Sequence, residues 1–104
     1  MKELRKAILK FRDDRDWKQF HSPENLAKSV VIESAELLEC FQWKSDFNRE
    51  EVKNEIADIF NYLILLEQEL GIDLIEVTKE KLEENNRKYP VEKSKGNSKK
   101  YTKF

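Results

Sequence analysis

Two segments of the sequence, 26–41 and 52–66, combine helical spacing with apolar side chains around most of the helix circumference. In the first segment the apolar residues are Leu26, Ala27, Val30, Val31, Ile32, Ala35, Leu37, Leu38, Cys40 and Phe41. In the second segment they are Val52, Ile56, Ile59, Phe60, Leu63, Ile64, Leu65 and Leu66. A helix that is apolar on most sides is normally buried on most sides, which a single small subunit cannot achieve. The pattern therefore predicts that these helices pack across subunits of a homo-oligomer.

Composition favours an all-α subunit. A length of 104 residues suits one domain with one core. Charged residues make up 39% of the chain and hydrophobic residues 38%, with only 2 Gly and 2 Pro. This balance is typical of long helices with solvated outer faces rather than of a turn-rich β fold. We predict a four-helix bundle-like subunit that assembles into a larger helical bundle.

Capping residues set the predicted helix boundaries. Apolar spacing predicts a first helix over 2–15. Ser22 followed by Pro23 is typical of a helix start, so a second helix is predicted over 23–43.

The second half of the chain carries the same kinds of signal. Asn48 is the predicted cap of a third helix that stops at Gly71. Asp73 is the predicted cap of a fourth helix that ends before Pro90. We therefore predict one helical domain over residues 1–90. The tail over 91–104 holds 5 Lys and one acidic residue without periodicity, which predicts a basic irregular C-terminal arm.

Charge and cysteine content narrow the partners and the compartment. The formal net charge is −1, from 20 basic and 21 acidic residues, so the chain offers no electrostatic basis for binding a nucleic-acid polymer or an anionic membrane. Cys40 is the single cysteine and excludes an intrachain disulfide. No apolar run approaches the roughly 18 residues of a membrane span, and the N-terminus lacks the apolar region of a signal peptide. We expect a cytoplasmic protein.

Two pairs of carboxylates border the apolar stripes of the second and third helices. Glu33 and Glu36 form one pair, and Glu55 and Asp58 form the other. A spacing of three residues places the members of each pair about 60° apart around the helix axis. Four carboxylates held close together repel one another and take up protons unless a cation joins them. Oxygen ligands alone favour Mg²⁺ or Mn²⁺ over zinc, and bound Mg²⁺ commonly also contacts substrate phosphates, which indicates phosphate chemistry.

A second interpretation stays open. In a chain that is 39% charged, carboxylates three residues apart on a helix are usually surface groups paired with Lys or Arg. The protein would then be a non-enzymatic helical oligomer whose acidic pairs bind lysines across a subunit interface. That alternative predicts no dependence on a metal ion.

Four runs of the sequence carry motifs that are specific in combination, and they read RDWKQFHSPENLAKSVVIESAELLECFQW, EIADIFNYL, EKLEENNRKYPVEKSKG and KKYTKF. Together they resemble the MazG-like superfamily of all-α nucleotide pyrophosphohydrolases, and within it the dCTP pyrophosphatase type. The resemblance extends from about Arg15 to the C-terminus. It implies a tetramer that holds Mg²⁺ between two carboxylate pairs. It also implies hydrolysis of nucleoside triphosphates between the α and β phosphorus atoms to the monophosphate and pyrophosphate.

The resemblance also implies roles for particular residues. The implied metal ligands are Glu33, Glu36, Glu55 and Asp58. Separately from the resemblance, proton-transfer chemistry suggests the hypothesis that either Glu33 or Glu36 accepts the proton of the attacking water. The implied base pocket consists of Trp17, His21, Trp43 and Tyr62. The implied contacts to the triphosphate and sugar are Lys81 and Asn85. Closure over the phosphates would involve Lys99, Lys100 and Tyr101.

The base preference stays open in the sequence. The resemblance implies dCTP or a related pyrimidine nucleotide as the substrate and nucleotide-pool sanitation as the role, with dUTP as an alternative substrate for the same chemistry. Ile8 stands where the animal dCTP enzyme has a histidine in its first helix.

Overall fold

The computed structural model describes residues 1–43 and 45–103 of the chain. Within these residues every regular element is helical and no strand is present, which confirms the all-α prediction. The helices are α1 (Lys2–Asp14), α2 (Pro23–Glu39), α3 (Arg49–Leu70), α4 (Leu74–Lys88) and α5 (Val91–Ser94). Two 3₁₀ turns, Lys18–Phe20 and Tyr101–Lys103, complete the elements.

The helix starts follow the capping residues that the sequence supplies. The side chains of Ser22, Asn48 and Asp73 each accept hydrogen bonds from backbone N–H groups of the following turn, at 2.9 to 3.2 Å. Gly71 ends α3 with φ 64°, in the left-handed conformation that glycine adopts without a Cβ penalty. These local bonds satisfy helix-end groups that would otherwise lack partners, so the predicted boundaries at these four positions are confirmed.

The second helix ends earlier than predicted. α2 stops at Glu39, whereas the sequence predicted an end near Trp43. The N–H groups of Phe41 and Gln42 donate to carbonyls three residues back, which tightens the chain out of α-helical geometry. Trp43 has φ 64°, which a right-handed helix cannot continue.

The chain divides into two compact units after Gly71. In the first unit α2 packs along α3, and α1 packs on α3 over a smaller area. The buried apolar side chains are Leu26, Cys40, Ile64 and Leu65, so the core of this unit lies between the three helices.

A buried ion pair fastens α1 to α3. Arg5 Nε and Nη2 donate to the two carboxylate oxygens of Glu67, each at 2.9 Å. Glu67 is 2% exposed, so its charge requires the paired guanidinium to remain buried. Two parallel bonds also fix the orientation of α1 more closely than a single contact would.

The second unit holds α4, α5 and the tail. Lys88 Nζ lies 2.8 Å from Glu84 Oε1 and 4.9 Å from the centroid of the Tyr101 ring. Tyr89 contacts Tyr101 edge to face, with ring centroids 6.0 Å apart. The segment predicted as an irregular arm thus contains α5 and one 3₁₀ turn, and the domain boundary at residue 90 stays a prediction.

Apolar side chains on α2 and α3 remain exposed in the single chain. Val31 is 69% exposed and Leu38 is 71% exposed on α2, and Ile56 is 53% exposed on α3. These faces are the surfaces that a homo-oligomer would cover, and the oligomer stays a prediction. In the described residues no helix is both long enough and apolar enough to cross a bilayer.

Replacing the α3 cap should destabilise the protein. Asn48→Ala removes the acceptor for two N–H groups of the first turn, so we expect the free energy of unfolding to fall by about 1 kcal/mol. Urea denaturation at a fixed protein concentration measures the change. Asn54→Ala, at an exposed position inside α3, is the matched control and should be neutral or slightly stabilising. Equal losses in both variants would contradict the capping role.

Candidate functional site

Packing of α2 against α3 brings acidic side chains from both helices together. One carboxylate oxygen each from Glu33, Glu55 and Asp58 lies within 4.8 Å of the others. Glu33 comes from α2, and the other two come from one turn of α3. We call these three residues the acidic cluster. Glu55 and Asp58 lie on the same side of α3 because residues three apart share a helix face.

The acidic cluster lacks compensation for its charge. Glu33 Oε2 and Glu55 Oε2 are buried and have no hydrogen-bond partner in the described residues. Burial, together with the neighbouring Glu36, Glu55 and Asp58, raises the pKa of Glu33 to about 7. Burial and the charge of Glu36 also raise the pKa of Glu55. A bound cation would reverse this tendency to take up protons.

Glu36 adjoins the acidic cluster without belonging to it. Its carboxylate lies close enough to Glu33 and Glu55 to raise the pKa of each, and its side chain is exposed. In the part of the chain that the structure describes, no Lys or Arg forms an ion pair with Glu36 or with the acidic cluster. The described residues therefore do not show these carboxylates as surface groups paired with Lys or Arg of the same chain.

A cavity of about 380 Å³ lies next to the acidic cluster, between α1, the turn that follows it and α3. Its lining is largely apolar and aromatic, and consists of Ala7, Ile8, Phe11, Arg12, Trp17, His21, Asp58, Asn61, Tyr62 and Leu65. Three of the four residues predicted for a base pocket are in this lining: Trp17, His21 and Tyr62. An aromatic-lined cavity of this kind suits a planar ring.

Asp58 connects the acidic cluster to the cavity. Its carboxylate is part of the acidic cluster, and the residue also lines the cavity. The cluster and the cavity are therefore adjoining parts of one site. A ligand that carries a planar ring and a string of negative charges matches this combination once a cation is bound at the cluster.

His21 adds a polar group to the cavity. Its Nδ1 atom is buried and has no hydrogen-bond partner in the described residues. Burial, followed by the positive charge of Arg12, lowers the pKa of the imidazole. His21 is therefore neutral near pH 7, with one nitrogen that can donate and one that can accept a hydrogen bond.

Arg15 holds the aromatic side of the cavity in place. Its Nη1 donates to the Phe11 carbonyl oxygen at 3.0 Å, and its guanidinium lies 3.6 Å from the centroid of the Phe11 ring. Phe11 in turn meets Trp17 edge to face, with centroids 5.7 Å apart. This stack restrains two lining rings through contacts outside the cavity.

Some predicted site residues are not in the cavity lining. Trp43 is 92% exposed and is absent from it. Lys81 pairs with Glu84 at 3.3 Å in the second unit, where Asn85 is half-buried. The implied substrate roles of Trp43, Lys81 and Asn85 stay predictions, as does closure by the tail.

Sequence reasoning singled out Ile8 on α1 for the base preference, but it missed that Phe11 and Arg12 line the cavity beside it. Ile8, Phe11 and Arg12 share one helix face at a spacing of three and four residues, which could have indicated a common surface. The partner of that surface depends on how α1 docks on α3. Asn61 was also missed, although it follows Asp58 by one helical turn.

The donor set fits a hard divalent cation. The acidic cluster supplies carboxylate oxygens only, and two of them are buried without partners. Magnesium and manganese prefer such ligands, whereas zinc sites prefer Cys and His. Cys40 is buried next to α2, and its Sγ donates to the Glu36 carbonyl at 3.5 Å.

The fold and site define a helical protein in which two packed helices carry an acidic cluster beside an aromatic cavity. A profile of the MazG-like family matches residues 28–104. The chain belongs to the MazG-like family, which confirms the resemblance found in the sequence.

Individual relatives agree with this assignment. The dCTP pyrophosphatase 1 of Mus musculus is 36% identical over 112 aligned positions, covering 98% of this chain and 66% of the mouse protein. The dCTP pyrophosphatase 1 of Homo sapiens is 34% identical with the same coverage. The chain thus spans just under two thirds of the length of these relatives.

A solved structure is similar over most of both chains. The crystal structure of a pyrophosphatase from Archaeoglobus fulgidus DSM 4304 superposes with a TM-score of 0.82 at 44% sequence identity. The match covers 86% of this chain and 92% of the archaeal chain.

The raised pKa of Glu33 predicts a pH-dependent stability in the absence of divalent cations. An acid whose pKa rises from 4.5 in the unfolded chain to about 7 in the folded protein stabilises the fold at low pH. This contribution is lost as the pH increases from about 4.5 to 7. His21 acts in the opposite direction, because its pKa is lowered from 6.5 and its neutral form is favoured on folding.

The contribution of Glu33 to this pH dependence is separated from that of His21 by comparing a Glu33 variant with the natural protein. Melting temperatures of the natural protein and Glu33→Gln, both in chelator, are compared from pH 4.5 to 8. We expect the natural protein to lose stability relative to the variant across this range. Glu51→Gln, at an exposed position on α3, should follow the natural protein. A difference in melting temperature between Glu33→Gln and the natural protein that does not change with pH would contradict the raised pKa of Glu33.

Proposed function

We propose that the protein is a Mg²⁺-dependent nucleoside triphosphate pyrophosphohydrolase, with Mn²⁺ as a possible substitute. It converts dCTP or a related pyrimidine nucleotide to the monophosphate and pyrophosphate. Its role is nucleotide-pool sanitation in the cytoplasm, and it acts as a homo-oligomer, a tetramer. The names of the mammalian relatives and of the archaeal structure support the reaction class.

One observation carries the proposal: Asp58 is shared by the acidic cluster and the aromatic cavity. A nucleoside triphosphate has a planar base at one end and a polyphosphate at the other. The site offers a matching order of features, with an apolar cavity followed by carboxylates that require a cation. A bare acidic surface would explain the cluster but not the adjoining cavity.

The acidic cluster would hold the metal ion, with Glu36 beside it. When bound, Mg²⁺ supplies positive charge that neutralises the phosphates and favours attack at phosphorus. One carboxylate oxygen of Glu33 and one of Glu55 are buried where α2 packs on α3, so each would exchange little solvent on binding the ion. Asp58 connects this end of the site to the cavity.

A carboxylate beside the cluster would accept the proton from the attacking water. Glu33 and Glu36 are both candidates, because a general base must lie within hydrogen-bond reach of its water. Glu36 has the more exposed side chain and lies outside the group of three that would hold the ion. These features favour Glu36 as the base and Glu33 as a ligand.

The cavity would bind the base. Trp17 and Tyr62 offer ring faces for stacking, and neutral His21 offers one donor and one acceptor. Trp43, Lys81 and Asn85 would add contacts to the base, the triphosphate and the sugar, as the family resemblance implies. Exclusion of water around the base selects by shape, although a single methyl group changes binding by only about 1 to 3 kcal/mol.

The alternatives are another triphosphate, such as dUTP, and a non-enzymatic oligomer. The first keeps the same cluster and changes only the base. The second needs lysines from another subunit to satisfy Glu33 and Glu55. Product analysis and metal dependence separate all three.

Product analysis tests the reaction. With Mg²⁺ and each common deoxynucleoside triphosphate, we expect monophosphate and pyrophosphate in equal amounts, and no reaction after chelation. Ion-exchange chromatography of the products measures this. Diphosphate with orthophosphate would contradict cleavage between the α and β phosphorus atoms, and turnover in chelator would contradict the metal.

Glu55→Gln tests the acidic cluster. Removing one charged ligand should lower kcat/KM by about 100-fold or more, since even outer partners of metal ligands can be worth that much. The increase in melting temperature on adding Mg²⁺ with a non-hydrolysable triphosphate should also disappear. Glu51→Gln, one turn earlier on α3 and exposed, is the matched control and should retain both properties. An unchanged rate in Glu55→Gln would overturn the assignment.

A further inference from the structure

The polar groups of the cavity are not equally able to recognise a base. Arg12 is 8% exposed and is already engaged, with Nε 2.8 Å from Asp13 and Nη1 3.8 Å from Glu69. The carboxylate of Asp58 belongs to the acidic cluster. The remaining polar lining residues are His21, Asn61 and Tyr62, together with Trp17, whose indole N–H can only donate.

Asn61 differs from these other polar lining residues in the hydrogen bonds that it can form. Its side chain makes no hydrogen bond to any residue in the described ranges, and it is exposed at the cavity. An amide carries one acceptor oxygen and a nitrogen with two donors, so it can form two parallel hydrogen bonds with the edge of a base. Tyr62 and His21 each offer a single atom for such a bond at a time.

The position of Asn61 is set by α3. It follows Asp58 by three residues, which is a rise of about 4.5 Å along the helix axis. Around the axis, Asn61 and Glu55 lie on opposite sides of Asp58, each about 60° away. A ligand anchored at the acidic cluster would therefore extend past Asp58 toward the amide.

We propose that Asn61 is a specificity-determining residue that hydrogen bonds the polar edge of a pyrimidine and makes the site permissive for both cytosine and uracil rings. This inference rests on the proposed function, because it assumes that the cavity receives the base. Cytosine presents an acceptor at position 3 and a donor at position 4, whereas uracil presents the reverse order. A rotation of the amide by 180° exchanges its donor and acceptor, so one side chain satisfies either base.

The natural protein should then hydrolyse dCTP and dUTP with kcat/KM values within about tenfold of each other, since neither base leaves the amide unpaired. Asn61→Leu should raise KM for both by about tenfold and leave kcat nearly unchanged, because the lost bonds act equally in the ground and transition states.

A substrate that lacks the polar edge distinguishes a hydrogen-bonding role of Asn61 from a purely structural role. The deoxynucleoside triphosphate of pyridin-2-one keeps a six-membered ring and its 2-oxygen but lacks polar groups at positions 3 and 4. Its KM should be the same for the natural protein and Asn61→Leu. A merely structural role would raise KM for all three substrates alike, and that result would overturn the proposal. Gln68→Leu, at an exposed position of α3 outside the cavity, is the matched control and should change none of these values.

A binding measurement keeps this test independent of hydrolysis. Calorimetry with dCMP and dUMP in the presence of Mg²⁺, where neither monophosphate can be hydrolysed between α and β phosphorus atoms, should show comparable affinity in the natural protein and about tenfold weaker binding of both in Asn61→Leu. If no triphosphate is hydrolysed but this pattern holds, the proposed reaction fails and the role of Asn61 stands. If hydrolysis occurs but the variant binds both monophosphates normally, or if the natural protein prefers one of them by more than about tenfold, the role of Asn61 fails.

Discussion

Repulsion among carboxylates is the constraint on which the rest of the site depends. Packing of α2 on α3 holds Glu33, Glu55 and Asp58 close together, and two of their oxygens are buried without partners. Such an arrangement costs free energy in the isolated chain, and the raised pKa of Glu33 records that cost. The apolar contacts of the same two helices offset it. The cluster is thus prepared for a cation before any cation binds, because the fold supplies the ligand positions.

The cavity completes the site from a different set of contacts. One wall comes from α3, which also carries part of the acidic cluster, and the other comes from α1 and the turn that follows it. Arg5 fastens α1 through Glu67, and Arg15 braces the aromatic rings from outside. α3 therefore contributes to both the acidic cluster and the cavity, whereas α1 contributes to the cavity alone. A substitution in the α1 wall would therefore alter the shape of the cavity without replacing a residue of the acidic cluster.

Local rules predicted most of the fold. Ser22, Asn48, Asp73 and Gly71 act through bonds within a few residues of themselves, so their effect is visible in the sequence. The end of α2 was missed because no glycine, proline or capping residue marks the change after Glu39 to hydrogen bonds between residues three apart. The spacing of the acidic pairs was also readable.

The features of the site that the sequence did not predict depend on how α1 docks on α3. A charged residue such as Arg12 is expected at the surface, and its burial follows only from its ionic partners and from the docking of α1. The ion pair of Arg5 and Glu67 joins residues 62 positions apart. Because α1 contacts α3 over a smaller area than α2 does, we expect α1 to be among the first segments to detach. The cavity would then be lost in partly unfolded molecules in which the α2–α3 pair, and with it the acidic cluster, persists.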